Sequence, residues 1–250
     1  MGTDLHLFAL AGLPEIASGA DLGALIASAA HAGGRGVETG DIFVVAQKIV
    51  SKAEGAVVRL DEVVPSPIAA QWAAAHGKDP RMIEVALRES RRIVRMDRGV
   101  LISETHHGFV CANAGVDASN VAPGFVTVLP RDPDASADRL CRALSATLGR
   151  SVGVIVSDTF GRPWREGVVN VALGVAGLRP LIDYRGAADG YGRQLTATVI
   201  ALADELAGAA EIVTRKVAGT PVAIVRGAAE WIGDGSGRLL LRAAERDLFR

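Results

Sequence analysis

The chain has 250 residues, of which 49% are hydrophobic and 22% are charged. This composition is typical of a soluble globular enzyme with one large domain or two modest ones, and it excludes a disordered or fibrous protein. A net charge of -1, without a basic block interleaved with aromatic residues, argues against a nucleic-acid partner.

The termini, apolar runs and cysteines bear on the compartment. Met1 to His6 has no basic region followed by a long apolar segment, so no signal peptide is predicted. The other apolar runs are short or interrupted by charge, which argues against a membrane span. Cys111 and Cys141 are too few for a disulfide framework and lack metal-ligand spacing. We therefore expect two reduced core thiols and a cytoplasmic protein.

The first part of the chain predicts a strand, a helix and a second strand. Leu5 to Leu10 alternates weakly, as a strand does, and leads into a turn at Ala11 to Glu15. Asp21 is the predicted N-cap of a helix over Leu22 to Ala32, which a group of glycines ends. Ile42 to Ala46 is rich in β-branched and aromatic residues, which predicts a buried strand.

Two lysines follow that buried strand. If the segment after Ala46 is helical, Lys48 and Lys52 stand four residues apart on one face, just beyond a strand end. Such a pair could meet a phosphate group. The alternative is a solvated lysine-rich face, and the spacing alone leaves both interpretations open.

The remaining patterns predict alternating helices and strands. In chain order we expect a helix over Pro67 to Ala75, a helix capped by Asp79 that reaches about Arg95, a hairpin of Val100 to Glu104 and Phe109 to Ala112, a strand over Phe125 to Leu129, a helix over Ala135 to Leu148, a strand over Val152 to Ser157, a Gly-rich loop over Asp183 to Arg193, a helix over Leu195 to Ile212, a strand over Val222 to Val225, and a charged helix from Leu239 to the C-terminus. Val168 to Ala176 fits either a strand or a buried helix. His106 and His107 could ligate a metal, but adjacent side chains point apart, so we interpret them as turn residues.

A dense group of short polar side chains lies in Val110 to Gly124. It places Asp117 and Asn120 among small residues, which either build turns or present ligands to a bound group. A second carboxylate, Asp158, directly follows the strand that ends at Ser157. Ligands of α/β sheets collect beyond strand ends, so two carboxylates in similar settings suggest one shared metal.

Six segments carry a specific pattern when they are taken in order. They are Gly12-Leu-Pro, Ile49-Val-Ser-Lys-Ala-Glu-Gly55, Asn113-Ala-Gly-Val-Asp-Ala-Ser-Asn-Val121, Val156-Ser-Asp-Thr-Phe-Gly-Arg162, Tyr191-Gly-Arg-Gln-Leu195 and Pro221-Val-Ala-Ile-Val-Arg-Gly227. Each is a weak signal alone, but together they resemble the coenzyme F420:L-glutamate ligases, also called F420-0:γ-glutamyl ligases. The resemblance implies an α+β fold of mixed sheets with flanking helices, a single two-lobed domain over 1–250 without a C-terminal nitroreductase-like domain, and a homodimer.

The resemblance also implies an activity. Its members add L-glutamate to coenzyme F420-0, and to F420-1, through γ-glutamyl amide bonds, with GTP as the energy source and GDP and phosphate as products. The γ-phosphate would pass to the terminal carboxylate of the deazaflavin, and the glutamate amine would attack the acyl phosphate. Family members require Mg²⁺ or Mn²⁺ and are helped by K⁺. Positioning and charge stabilisation suffice for this chemistry, so no side-chain nucleophile is expected.

Position by position, the resemblance assigns roles to residues of this chain. Asp117, Asp158 and Thr159 match metal ligands, and Asp117, Asp158 and Lys52 form the expected catalytic group. Nucleotide contacts are expected at Gly12, Leu13, Pro14, Glu15, Ala46, Gln47, Lys52, Asn120, Arg215, Lys216 and Gly219. Archaeal members carry Ser-Thr in place of Ala46-Gln47, and a metal-binding acidic or amide side chain in the last loop, where Arg215 and Lys216 stand here. The third metal ligand and the strictness of the GTP preference therefore stay open.

Contacts to the acidic substrates are hypothesised for charged or stacking side chains along the chain from Asp158, namely Arg162, Trp164, Arg165, Tyr184 and Arg193. Two other functions compete with ligation. One is a metal-dependent phosphatase or phosphotransferase that uses the same two aspartates. The other is a non-catalytic nucleotide-binding module in which the aspartates are structural.

Overall fold

The structure is a computed structural model and describes residues 4–248. The strands are β1 (His6–Ala9), β2 (Ile42–Ala46), β3 (Val57–Arg59), β4 (Ser90–Asp97), β5 (Val100–Thr105), β6 (Val110–Ala112), β7 (Phe125–Thr127), β8 (Gly153–Gly161), β9 (Val168–Ala176), β10 (Ile182–Asp183), β11 (Val199–Ile200) and β12 (Val222–Arg226). The α-helices are α1 (Leu22–Ala32), α2 (Gln47–Ala53), α3 (Pro67–His76), α4 (Pro80–Arg88), α5 (Pro133–Leu148) and α6 (Leu202–Thr214). The start of the chain, on which the signal-peptide prediction rests, includes residues 1–3, which lie outside the described residues.

A five-stranded sheet in the order β1-β12-β2-β8-β9 forms the centre of the fold. β2 and β8 run parallel, with Ile42 opposite Gly153 and Ala46 opposite Ser157. The other neighbouring pairs of this sheet are antiparallel. β2 and β8 therefore run toward the same edge of the sheet, where β8 continues past the end of β2 to Gly161.

Helices cover both faces of this sheet because its strands alternate between two apolar clusters. Phe43 points into the cluster that also holds Ile26 of α1 and Leu144 of α5. Its neighbour Ile42 points into the opposite cluster, with Leu206 of α6. Each such fully buried aliphatic or aromatic side chain contributes about 1.5–3 kcal/mol through the hydrophobic effect. We call the sheet with α1, α2, α5 and α6 the central-sheet region.

Residues 56–130, which we call the small-sheet region, have an apolar cluster of their own. β3 pairs with β7, and β4, β5 and β6 form a three-stranded sheet against which α3 and α4 lie. Leu101, Val85 and Val126 are almost completely buried in this cluster. The predicted mixed α+β fold is confirmed, whereas the organisation into a single two-lobed domain stays a prediction.

The predicted helix up to Arg95 was wrong, because α4 ends at Arg88 and the chain continues as β4. Glu84 and Arg88 form an i,i+4 ion pair within α4. Arg92, however, reaches across to Glu104 of β5, with 2.9 Å between Nη2 and Oε2. β4 is an exposed strand at the edge of its sheet, and such strands carry charged residues. In the sequence alone, these charged residues look like the solvated face of a helix.

Two other helix predictions need correction. α6 begins at Leu202 rather than Leu195, because Val199–Ile200 pairs with Ile182–Asp183 instead. The segment from Leu239 forms only short 3₁₀ turns, and residues 249–250 of that predicted helix lie outside the described residues.

Several predictions along the rest of the chain are confirmed. The side chain of Asp21 accepts the backbone N–H of Ala24 at 3.0 Å and caps α1 as predicted. The ambiguous segment Val168–Ala176 is strand β9. Cys111 and Cys141 are both free thiols. Within residues 4–248, no helix has the length and apolar character needed to cross a membrane.

Candidate functional site

Several strand ends meet at one edge of the central sheet. β2 ends there at Ala46. β12 begins there, because Val222 pairs with Val45, and β1 ends there, because Ala9 pairs with Ala223. The segments after β1, after β2 and before β12 are therefore neighbours in space although they are far apart in the chain.

A cavity of about 450 Å³ lies at this edge. That volume is within the range of small-molecule and cofactor sites. Every predicted nucleotide contact except Gly12 lines it, namely Leu13, Pro14, Glu15, Ala46, Gln47, Lys52, Asn120, Arg215, Lys216 and Gly219. Asp158 and Thr159 line it as well. The structure thus brings together residues that the sequence resemblance had only matched one by one.

Asp158 and Thr159 lie within β8 rather than after it, because β8 continues to Gly161. They stand opposite Val171 and Asn170 of β9. A register shift between Val156 and Ser157 precedes them, so the hairpin bends beside the cavity. The predicted strand end at Ser157 was too early, and both side chains are held by strand pairing.

The pKa of the Asp158 carboxyl is raised to about 6. Burial is the main cause, and the negative charge of Asp117 adds to it. The backbone N–H of Thr159 and the charges of Lys216 and Lys48 act in the opposite direction. An additional cation would therefore stabilise the charged form of Asp158.

Asp117 reaches the site from the small-sheet region. Its backbone is held by an isolated antiparallel bridge to Thr127, with N–H···O distances of 3.1 and 2.9 Å. Its carboxylate accepts the backbone N–H of Ser119 at 2.7 Å and the ammonium group of Lys48 at 2.7 Å. Burial acts to raise the pKa of Asp117, but the bonds from Lys48 and Ser119 outweigh it and hold the pKa below its usual value. Asp117 does not line the cavity itself and meets it through Lys48.

Both lysines of α2 line the cavity. The segment after Ala46 is helical as the phosphate hypothesis required, and Lys48 and Lys52 stand one turn apart. Lys52 donates to the carboxylate of Glu15, and its side chain is 11% exposed, whereas that of Glu15 is 83% exposed. A buried amine stem with its charged end at a cavity wall suits the binding of an anion.

A hydrogen-bonded chain of three side chains joins β8, β9 and α6 at the cavity wall. The hydroxyl of Thr159 donates to Asn170 Oδ1 at 2.8 Å, and Asn170 Nδ2 donates to Glu211 Oε2 at 3.0 Å. Asn170 and Glu211 line the cavity but are absent from the predicted set. Asn170 could have been found only from the hairpin register, and no sequence signal pointed to Glu211.

The loop between α6 and β12 closes the cavity on another side. Arg215 and Lys216 line it and are exposed to solvent. Arg215 ends α6 with a φ of 52°, a left-handed value that costs a residue with a Cβ free energy. Thr220 donates to the carbonyl of Thr214 at 2.7 Å and ties the two ends of the loop together.

The five hypothesised substrate contacts lie outside the cavity. Trp164 sits in the turn between β8 and β9 and is 81% exposed. Arg162 in the same turn donates to the carbonyl of Glu166 at 2.6 Å. The roles proposed for these side chains stay predictions.

The two histidines of the β5–β6 turn do not join the site. His106 Nε2 lies 2.9 Å from the carbonyl of Arg88, and His107 Nε2 lies 2.9 Å from that of Pro130. Their interpretation as turn residues is confirmed.

Comparison with known proteins identifies the family. The family described as F420-0:Gamma-glutamyl ligase matches residues 12–227. The coenzyme F420:L-glutamate ligase of Methanothermobacter thermautotrophicus is 49% identical over 250 residues, which covers 98% of this chain and 99% of the relative. That of Methanopyrus kandleri is 48% identical over 94% of each chain, and that of Archaeoglobus fulgidus is 40% identical over 98% of this chain and 96% of the relative.

The chain belongs to the F420-0:gamma-glutamyl ligase family. The sequence resemblance is thereby confirmed, and it spans nearly the whole chain. The matched segment ends at Gly227, so it includes every strand and helix that lines the cavity.

The donor set of this family member fits a hard divalent cation. Asp117 and Asp158 offer carboxylate oxygens, and Thr159 offers a hydroxyl. No group of three His, Cys, Asp or Glu side chains suited to a metal occurs in residues 4–248. Mg²⁺ fits a site of one or two carboxylates completed by phosphate oxygens and water, rather than an all-protein cage. The side chains present therefore suit a metal that arrives with a phosphate ligand.

Proposed function

We propose that this chain is a GTP-dependent ligase that adds L-glutamate to coenzyme F420-0, and then to F420-1, with GDP and phosphate as products. Family membership supports the ligase class and the acceptor. The observation that carries the proposal is the cavity at the sheet edge, where Asp158 and Thr159 stand among four cationic side chains. Those cations are Lys48, Lys52, Arg215 and Lys216.

The four cationic side chains suit the triphosphate of GTP. Lysine supplies a point charge and arginine a planar pair of donors, and both bind phosphate oxygens strongly. In this proposal Lys52 exchanges Glu15 for a phosphate oxygen, while Arg215 and Lys216 approach from the loop before β12. The segment Leu13 to Glu15 and Asn120 supply the remaining walls of the nucleotide site.

Asp117, Asp158 and Thr159 would hold Mg²⁺ or Mn²⁺ against the phosphates. When bound, the cation neutralises charge that develops on the phosphate oxygens. Asn170 orients the Thr159 hydroxyl, because it accepts the hydroxyl proton and leaves the oxygen lone pairs to face a cation. K⁺ is an additional ion that we expect to help the reaction.

The proposed reaction has two steps. First, an oxygen of the terminal carboxylate of the deazaflavin forms a bond to the γ-phosphorus of GTP, and the bond from that phosphorus to the β-phosphate oxygen breaks. Second, the amine of L-glutamate attacks the acyl carbon, a C–N bond forms, and phosphate leaves while the amine loses a proton. The protein must position three substrates and offset charge, so neither step requires a side-chain nucleophile.

The test is a mass-resolved ligation assay. Purified protein is incubated with the glutamate-free deazaflavin, L-glutamate, GTP and Mn²⁺, and product mass is followed together with phosphate release. We expect mass gain in glutamate units, and loss of that gain in Asp117→Ala and Asp158→Ala. Phosphate release without mass gain would support a phosphotransferase instead, and nucleotide binding without turnover would support a binding module.

A homodimer and a cytoplasmic location are part of the same proposal. The homodimer is what the sequence resemblance implies, and the location rests on the two unpaired cysteines; light scattering coupled to size-exclusion chromatography measures the first. A mass near twice that of the 25.9 kDa chain is expected. A monomeric mass at micromolar concentration would contradict the homodimer and leave the ligation assay unaffected.

A further inference from the structure

Lys48 contacts the Asp117 carboxylate, which a divalent cation would also need to contact. Its Nζ lies 2.7 Å from Asp117 Oδ2 and 2.5 Å from Ser119 Oγ. The Lys48 side chain is 14% exposed and that of Asp117 is 36% exposed, so solvent screens the pair only in part. The structure thus places an ammonium group on the carboxylate that is expected to ligate the metal.

The lone pairs of Asp117 limit how many cations it can accept. Oδ2 accepts from both Lys48 and the hydroxyl of Ser119, the latter at 2.9 Å, while Oδ1 accepts the backbone N–H of Ser119 at 2.7 Å. A carboxylate oxygen offers two lone pairs. A metal that binds Oδ2 must therefore displace Lys48 or Ser119, and a metal on Oδ1 would lie close to the ammonium charge.

Lys48 can serve a second ligand. It lines the same cavity as Asp158 and Lys52. Its four-carbon stem is flexible, and an ammonium group binds a phosphate oxygen as readily as a carboxylate oxygen. A phosphate group in the cavity is thus an alternative partner for Nζ.

We infer that Lys48 and the divalent cation compete for the Asp117 carboxylate, and that nucleotide phosphates relieve this competition by accepting the ammonium group. The inference rests on the proposed function, since it takes a nucleotide and a metal as ligands of this cavity. Lys48 is then a positioning residue that makes metal binding depend on nucleotide binding. By linkage, nucleotide tightens metal binding by the same factor as metal tightens nucleotide binding.

The experiment measures Mn²⁺ binding rather than turnover. The electron paramagnetic resonance signal of free Mn²⁺ is followed as protein is added, first alone and then with a non-hydrolysable GTP analogue. Lys48→Met keeps an unbranched, flexible side chain that ends before the ammonium group, and it removes the charge. We expect its Mn²⁺ affinity without nucleotide to rise about tenfold, within the usual span of coupling factors, and the nucleotide to add little more.

Lys52→Met is the matched control. It removes one positive charge from the same cavity and helix, but Lys52 contacts Glu15 rather than Asp117. Without nucleotide, we expect its Mn²⁺ affinity to change less than about threefold, because a charge without direct contact is screened. Lys48→Arg keeps the charge and should bind Mn²⁺ as weakly as the unmodified chain.

Three outcomes decide the inference. Tighter Mn²⁺ binding in Lys48→Met alone supports it. Unchanged or weaker binding in Lys48→Met, or equal tightening in Lys52→Met, overturns it while the ligation assay stands. If the unmodified chain with the analogue present binds Mn²⁺ no better than Asp117→Asn does, the proposed metal site is contradicted as well. Circular dichroism melts check folding, and Lys48→Gln replaces Lys48→Met if that variant does not fold.

Discussion

The two regions of the molecule deliver their aspartates to the site in different ways. Asp158 lies in β8 directly after Ser157, the last residue that pairs with β2, and it stands in continuous strand pairing opposite Val171 of β9. Asp117 lies in a loop of the small-sheet region that is held by one isolated bridge to Thr127. The central-sheet region thus provides a rigid half of the site, and the small-sheet region provides a half that depends on contacts between the two.

The two regions meet through an apolar cluster, in which Phe109 and Leu129 pack against Leu173, and through hydrogen bonds from α2. Lys48 of α2 bonds to Asp117, and Ser51 of the same helix donates to the carbonyl of Val128 at 2.7 Å. The backbone N–H of Ala56 donates in turn to the carbonyl of Ser51 at 2.8 Å. Helix α2 and this apolar cluster therefore both hold the two halves of the site together.

The largest expected effect is on activity. Asp117→Ala and Asp158→Ala should each lower kcat by about 10²–10³-fold, because each removes a carboxylate that is proposed to hold the cation that offsets phosphate charge. Steady-state assays with saturating GTP and Mn²⁺ measure this. If the two halves of the site were independent, the double variant would lose the product of the two factors. A loss close to that of one single variant would show that the aspartates act as a unit.

The next effect concerns the rigidity of the central-sheet region. A Cβ on Gly174 of β9 would lie 2.0 Å from the backbone carbonyl oxygen of Pro133, where α5 begins. Gly174→Ala should destabilise the fold by about 3 kcal/mol, because neither backbone segment can give way. Gly161→Ala is the control, since a Cβ there meets no atom within 4 Å. Urea unfolding measures both, and equal stabilities would contradict the packing argument.

A smaller effect should follow from loosening the contact between the regions. Ser51 and Ser103 are both fully buried, but only Ser51 uses its hydroxyl, whereas the Ser103 hydroxyl has no partner within the described part of the chain. Ser51→Ala should cost about 1 kcal/mol. Ser103→Ala should leave the free energy of unfolding within about 0.5 kcal/mol of the original. A larger loss in Ser103→Ala than in Ser51→Ala would show that the contact is not stabilising.

The smallest expected effect is on protein stability, whose change with pH should have opposite signs in variants of the two aspartates. The measurement is made with a chelator present. The pKa of Asp158 is raised to about 6, so its charged form disfavours folding, and Asp158→Asn should stabilise the protein at pH 8. That gain should shrink as the pH falls through about 6 and vanish near the ordinary pKa of an aspartate. The pKa of Asp117 is lowered, so Asp117→Asn should destabilise at pH 8, and less so in acid. Thermal melts across this range test both, and shifts of the same sign would contradict the assignment.

Much of the fold follows from local patterns along the chain. The N-cap at Asp21 and the β-branched run of β2 predicted α1 and β2 with the observed bounds. The prediction failed at β4, an exposed strand whose charged residues follow a helix-like spacing, and before α6, where the strand Val199–Ile200 is too short to show a pattern. In such segments the partner strand decides the structure, and a single sequence does not show the partner.

The candidate site shows the same difference between local sequence patterns and contacts that depend on a partner element. Six short segments, which contain Asp117, Asp158 and Lys52, determined by themselves that this chain resembles the F420-0:gamma-glutamyl ligase family. Only the tertiary structure decided that Lys48 lies on Asp117 and that Asn170 stands opposite Thr159. The physical reason is that side-chain identity is local, whereas a contact between residues 69 positions apart depends on the register and packing of every element between them.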